Sequence, residues 1–305
     1  TFSQLEQMLN TELNLLREDL SDGKVSGGAD ILVLVSPKSL DEKQVFAIDQ
    51  FLMKGGTVVA ATSPYSVNLS GQRLSMSTTD SGLERWLQHH GLTIENKLVM
   101  DANNASFPIP VTRNVGGFQL QEIRMVDYPY FVEVRDELNK DNLITSQLPQ
   151  LTMPWASPIV IDQNMKEINY TPLISSSSQA WTSTSLDIMP RINQLGETSY
   201  SSEGNTDKQL LGVIAQGKFT SYFADKESPL LTNAETKTDT SDSAEQSEVE
   251  NTSAIESEQF DVGSVLKHAP ESARIILFSA NDLVHDQVLQ LTGGVSQTSY
   301  LNSLQ

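Results

Sequence analysis

The sequence contains no cysteine. That removes disulfides, thiolate metal sites, iron–sulfur clusters and every cysteine-nucleophile mechanism, and it leaves both reducing and oxidising compartments open. Basic residues are scarce: 20 Lys and Arg stand against 39 Asp and Glu, a formal net charge of −19. A nucleic-acid binder needs a cationic face for phosphates, so the balance argues against one. It argues equally against docking on an anionic membrane through basic residues. Long apolar runs are missing as well. Stretches such as Ile31 to Val35 fall far short of the roughly 20 residues that span a bilayer.

Catalytic signatures are also thin. Of the four histidines, His89 and His90 are adjacent and point to different sides of a helix. No paired His at metal spacing accompanies them, so all four read as structural or surface residues, and neither metal nor cofactor is expected. No Gly-x-Ser-x-Gly elbow is present for a serine nucleophile. Gly212 and Gly217-Lys218 have the spacing of a phosphate-binding loop, but Phe219 stands where Ser or Thr should hold magnesium. The residues between the glycines are apolar and strand-like, unlike a loop that curls its amides round phosphate. The motif is a decoy.

What is present is a chain of 305 residues, 38% hydrophobic and 19% charged, long enough at about 150 residues per domain for two domains or one elaborated domain. No leader is visible: Thr1 opens directly on a polar, amphipathic stretch, and the chain reads as an excised piece of a longer protein. Residues 1–101 read as the first part of an α/β sheet domain. Asp30-Ile-Leu-Val-Leu-Val-Ser36 is a run expected of a strand buried on both faces. Asp41 then opens a helix with Val45, Ile48, Phe51 and Leu52 on one stripe, closed by Gly55-Gly56. Thr57 to Ala61 is the next strand, a helix stops at Gly91, and Lys97 to Asp101 is a third strand. That alternation predicts a mostly parallel, doubly wound sheet.

Residues 102–224 are punctuated by prolines and read as a β-rich insertion or second subdomain, ending in the buried strand Leu210 to Ala215. Thr232 to Gln259 carries eight acids, one base and no aromatic residue. A segment so poor in apolar area is expected to be a disordered linker. Residues 260–305 return to a globular pattern: a short helix over Asp261 to His268, a strand over Ser272 to Phe278, and a helix from about Leu283 to Leu291. The last strand is expected to rejoin the first sheet.

Candidate contact residues follow from this layout. A doubly wound sheet binds ligands beyond the carboxyl ends of its strands, which nominates Ser36, Ser63 with nearby Tyr65, and Asp282. The competing reading is that Ser, Pro, Asn and Asp simply make the turns there. Ser175 to Ser178 with Trp181 offers hydroxyls beside an aromatic ring, a pairing that can recognise a sugar or peptide. A Ser-rich loop with one packing Trp is the plainer account.

Several segments, taken in order, resemble a known family. They are Asp30 to Pro37, Ile48 to Thr57, Gly91 to Asp101, Tyr128-Pro-Tyr-Phe131, Thr171-Pro-Leu-Ile174, Gly217 to Phe223 and Ser272 to Phe278. Together they look like the extracytoplasmic region of gliding-motility-type (GldG-like) auxiliary components of ABC transporters, over most of the chain except the acidic segment. The resemblance implies a flavodoxin-like or glutamine-amidotransferase-like sheet. It also implies a non-enzymatic domain on the periplasmic side of the inner membrane, anchored by helices outside this chain. The implied partners are a permease and, through it, a separate ATPase subunit. The alternatives are a periplasmic glycan- or small-ligand-binding module at the strand ends, and a degenerate hydrolase with Ser63 as its only nominee for nucleophile.

Overall fold

The computed structural model describes residues 1–69, 74–116, 118–193, 198–200, 202, 204–231 and 264–293. The expected acidic linker lies outside the described residues. The central element is a five-stranded sheet built from β1 (Ile31–Val35), β2 (Thr57–Ala61), β14 (Arg274–Phe278), β13 (Leu210–Gly217) and β11 (Ile168–Ser175), in that spatial order. Strand β2 pairs in parallel with β1 and β14, with Val33, Val59 and Ile276 in one row. The other pairings are antiparallel, β13 against β14 and β11 against β13.

The expected mostly parallel, flavodoxin-like or glutamine-amidotransferase-like sheet is therefore incorrect. The described residues are β-rich, about 35% strand and 15% helix, in mixed and small antiparallel sheets. The physical reason is that a continuous apolar run says nothing of strand direction, nor even of burial on both faces: the edge strand β1, expected to be covered twice, leaves Ile31 and Val33 exposed. Strand β13 is covered on both faces and reads like a parallel strand, yet it runs the other way. Likewise β6 (Leu98–Met100) leaves the main sheet and pairs antiparallel with β12 (Trp181–Ser183). Two more small sheets pair β5 (Leu92–Ile94) with β10 (Ile159–Ile161) and β3 (Tyr65–Asn68) with β4 (Ser75–Thr78).

Helix α2 (Glu42–Met53) forms because its sequence specifies both ends. Asp41 accepts from the Gln44 amide while Gln44 reaches back to the Asp41 amide, a full capping box. Gly55 at φ 94° then turns the chain out. The apolar stripe of α2, with α3 (Glu84–His89), covers the face of the sheet carrying Val58, Ala60, Val213, Ile275 and Leu277. The opposite face, with Ile214, Ile276 and Phe278, meets Val132, Met153, Leu283 and Val284. Phe2 and Leu5 at α1 (Ser3–Glu12) close part of it. Asp286, at the start of α4 (Asp286–Gly293), holds α1 in place by accepting the Ser3 and Gln4 amides at 3.0 and 2.9 Å. Upstream of α4, the described part of the helix expected over Asp261 to His268 is irregular, and His268 bridges to Thr220.

The third core is aromatic. It lies where β7 (Asn104–Val115), β8 (Phe118–Val134) and β9 (Leu151–Pro154) form an antiparallel sheet, and it gathers Phe107, Tyr128, Phe131, Trp155 and Trp181. Tyr128 accepts the Trp155 indole N–H at 3.0 Å and donates to the Ile188 carbonyl at 2.6 Å. Burial pushes its phenol well above the usual range. Beyond this core β7 and β8 continue outward as a two-stranded arm.

Gly217 illustrates why the decoy motif contains its glycine. The residue sits at φ 150°, and a Cβ there would lie 2.2 Å from the Glu167 carbonyl oxygen. The glycine lets the end of β13 approach the backbone entering β11, and Lys218 pairs with Glu271 at 3.2 Å. Gly217→Ala is expected to cost about 2 kcal/mol or more, since backbone must move. Urea unfolding that matches wild type within about 0.5 kcal/mol would contradict this account of the glycine.

Candidate functional site

The carboxyl ends of β1, β2 and β14 meet on one edge of the sheet, and that is where Ser36, Ser63 and Asp282 fall. Ser36 leaves β1 in the left-handed conformation at φ 48°, and its amide donates to the Ala61 carbonyl at 2.9 Å. Behind it the strand ends are sewn together. Asn281 accepts the Ser63 amide at 3.2 Å and donates to the Ser63 and Tyr65 carbonyls at 2.8 and 2.6 Å. The Ser63 hydroxyl lies 3.2 Å from that of Ser157 and accepts the Tyr65 amide at 3.3 Å. Ser157 in turn donates its amide to the Ser279 carbonyl at 3.0 Å. Ser63, Tyr65, Ser157, Ser279 and Asn281 are buried, and Ser36 is half-buried.

This chemistry is structural. Neither partner of the Ser63 hydroxyl is a base, and a buried serine without one has nothing to activate it. The amide side chain of Asn281 does what backbone would do in a longer sheet, satisfying groups that the strand ends leave open. Ser63→Ala is expected to cost about 1 kcal/mol, the worth of its hydroxyl contacts, as read by thermal unfolding. A cost above about 3 kcal/mol would mean that the hydroxyl is a hub.

Asp282 is the electrostatically unusual member. Burial pushes its carboxyl up to about 6, although a Val67 backbone hydrogen bond and the Lys38 charge pull the other way. Ser178 and Trp181 do not join the strand-end cluster. Ser178 is exposed, whereas its neighbour Ser177 donates its amide and hydroxyl to buried Asp101 at 2.7 and 2.6 Å. Trp181 is 5% exposed and shares the aromatic core with Tyr65, so its ring presents no platform to solvent.

A second polar cluster escaped the sequence reading. Asp49 of α2 is wholly buried and accepts the Trp86 indole N–H at 3.1 Å, the Ser221 hydroxyl at 2.5 Å and the Tyr222 amide at 3.0 Å. Burial raises its carboxyl, but hydrogen bonds and the nearby His90 outweigh that and hold it below the ordinary carboxylate value. His90 Nε2 stands 3.8 Å from Asp49, too far for a hydrogen bond, so their attraction is coulombic. Burial is the larger influence on His90 and lowers it below the usual imidazole value. Asp, His and Ser thus meet in one place, but the serine bonds to the aspartate rather than to the histidine. All three are buried. The signal for this cluster was in the sequence: Asp49 stands four residues after Val45, on the apolar stripe of its own helix.

Among the described residues, no group of three or more His, Asp or Glu side chains converges as a metal site. No helix of the described residues is long and apolar enough to cross a membrane.

Residues 3–304 match the family described as an ABC-type uncharacterized transport system. The chain belongs to that family. The family's description ties its members to ABC-type transport. A relative from Borreliella burgdorferi (strain ATCC 35210 / DSM 4680 / CIP 102532 / B31), an uncharacterized protein, is 24% identical over 222 residues. The match takes in 70% of this chain and 40% of the relative, so the chain spans well under half the relative's length. Among solved structures, the mmIFT52 N-terminal domain aligns with 98% of this chain and 86% of its own, at 10% identity and a TM-score of 0.47. That likeness is too slight to carry an argument.

Proposed function

We propose that this chain is a non-enzymatic interaction domain of a GldG-like, membrane-anchored auxiliary subunit. On this reading it lies on the periplasmic side of the inner membrane. It contacts the permease of its ABC transport system and, through the permease, a separate ATPase. Family membership supports the association with transport. The observation that carries the non-enzymatic part is the filled strand edge. Where an α/β enzyme keeps an open crevice, this chain places the buried Ser63–Asn281–Ser157 network. Its large exposed apolar residues include a run on the outer β7–β8 arm.

Capture from detergent-solubilised membranes of the source organism, with the domain as bait, tests the reading. Recovery of a permease and its ATPase is the expected result. A domain that retains neither, and stays monomeric beside the purified permease, contradicts it.

A further inference from the structure

We propose that the β7–β8 hairpin is a membrane-contacting arm whose tip enters the interfacial layer of an anionic phospholipid bilayer. Thr112, Arg113 and Asn114 on β7 and every residue from Phe118 to Met125 on β8 are exposed, so this part of the ribbon stands clear of the body. Four large apolar side chains lie along it: Phe118, Leu120, Ile123 and Met125 are 75%, 54%, 69% and 43% exposed. Large apolar side chains gathered on an exposed element in this way mark a protein or membrane contact.

Three observations favour lipid over a protein groove. First, side chains alternate along a strand, so Phe118 and Leu120 project from one face and Ile123 and Met125 from the other. A protein groove covers one face of a ribbon, whereas a lipid interface surrounds both. Second, the arm is nearly free of ions and of the wrong sign for its chain. From Ala102 to Gln121 the only ionisable residue is Arg113. Extending to Val126 adds Arg124 and Glu122, which pair at 3.7 Å, for a net of +1 on a chain of −19. Arg113 stands opposite Leu120, where its long stem can follow the apolar face while the guanidinium meets a phosphate. Third, Pro108 and Pro110 lie on the outer strand β7 and remove two amide donors from that edge, which blunts it against pairing with another chain's strand.

The acidity of the whole chain does not oppose this contact. Six residue pairs, Pro110 to Val115 against Ile123 to Phe118, hold the tip about 20 Å from the body at ~3.4 Å per residue. That is more than two Debye lengths of about 8 Å at physiological salt, so the body's charge is screened. The same geometry limits the depth. A two-stranded ribbon has unpaired amides and carbonyls on both edges, which hydrocarbon does not tolerate, so the arm rests at the headgroup boundary and does not span. The inference stands on the arm's own chemistry and adds a lipid contact to the proposed function.

Co-sedimentation of the purified domain with phosphatidylethanolamine–phosphatidylglycerol vesicles tests it. Partition of wild type into these vesicles is expected, falling about tenfold or more in Phe118→Glu/Leu120→Glu and unchanged in Leu143→Glu, which is exposed elsewhere. Unaltered melting of the double variant shows that it folds. Phe118→Trp reads the contact directly, since the three native tryptophans are buried and form a constant background. Its emission should shift to the blue and be quenched by brominated lipid. Absence of vesicle binding, equal binding to pure phosphatidylcholine, or binding retained by the double variant overturns the proposal. A concentration-dependent dimer lost in the double variant, without vesicle binding, assigns the arm to a second copy instead. Capture of the permease by a domain that fails to bind vesicles would sink the arm and leave the transport reading standing.

Discussion

Asp49→Ala is expected to lower the unfolding free energy by about 3–5 kcal/mol, the range for removing one partner from a buried charged network. The carboxylate joins α2 to α3 through Trp86 and to the loop at Ser221 and Tyr222. Its loss strands three buried donors, and each unsatisfied group carries a desolvation cost. For a chain of this size that is a fall of roughly 10 °C in melting temperature, at 2–4 °C per kcal/mol. The pH dependence follows from the same cluster. Asp49 titrates below its unfolded value, so the stability it confers is present above about 3.8 and lost as pH falls through its folded pKa. His90 titrates below 6.5 in the folded chain, so the unfolded chain takes up its proton first and stability declines as pH drops below 6.5. Both groups make acid destabilising; Asp49→Ala removes the part of the decline below about 3.8, while His90, without the carboxylate that raises it, titrates lower still and keeps its part below 6.5. Urea unfolding at neutral and acid pH measures it, and a loss under about 1 kcal/mol at neutral pH would remove Asp49 as the hub.

Asp282→Asn should do the opposite and stabilise the domain. The folded carboxyl titrates at about 6, above its ordinary 3.8. The folded chain therefore holds its proton more tightly, and the stability linked to that proton is full below about 3.8 and lost as pH rises through 6. Above 6 the buried charge costs about 3 kcal/mol, from roughly two pKa units at 1.36 kcal/mol each. Asparagine imitates the neutral acid and keeps an oxygen to accept the Val67 backbone hydrogen bond. Melting near pH 7.5 should rise by several degrees, with little change near pH 4. An equal gain at both pH values would show that the effect is not electrostatic.

The segment from β1 through β2 was legible because local chemistry specifies it. The run at Ile31, the cap at Asp41 and the stop at Gly55 each act within a few residues. Strand direction was not legible, because β13 and β14 are both apolar and covered on both faces, and only their pairing distinguishes them. The arm was hidden by Pro108 and Pro110, read as breaks between short strands when they sit on the edge of a long ribbon. Alternation in Phe118-Gln-Leu-Gln121 was the signal available for it. Ser36, Ser63, Asn281 and Asp282 could be placed at strand ends from sequence, but the bonds by which Asn281 fills the space between them reach across more than 200 residues. The Asp49 network has the same character: its partners come from two distant segments, and only folding brings them together.

We propose that this domain works by contact and carries no catalytic centre at its strand ends. The most direct test is saturable binding of the domain to its purified permease–ATPase complex in lipid nanodiscs, wild type beside Ser63→Ala. The account predicts saturable binding with the same affinity for both. No binding at any concentration would contradict it, as would a turnover activity of the domain that Ser63→Ala abolishes.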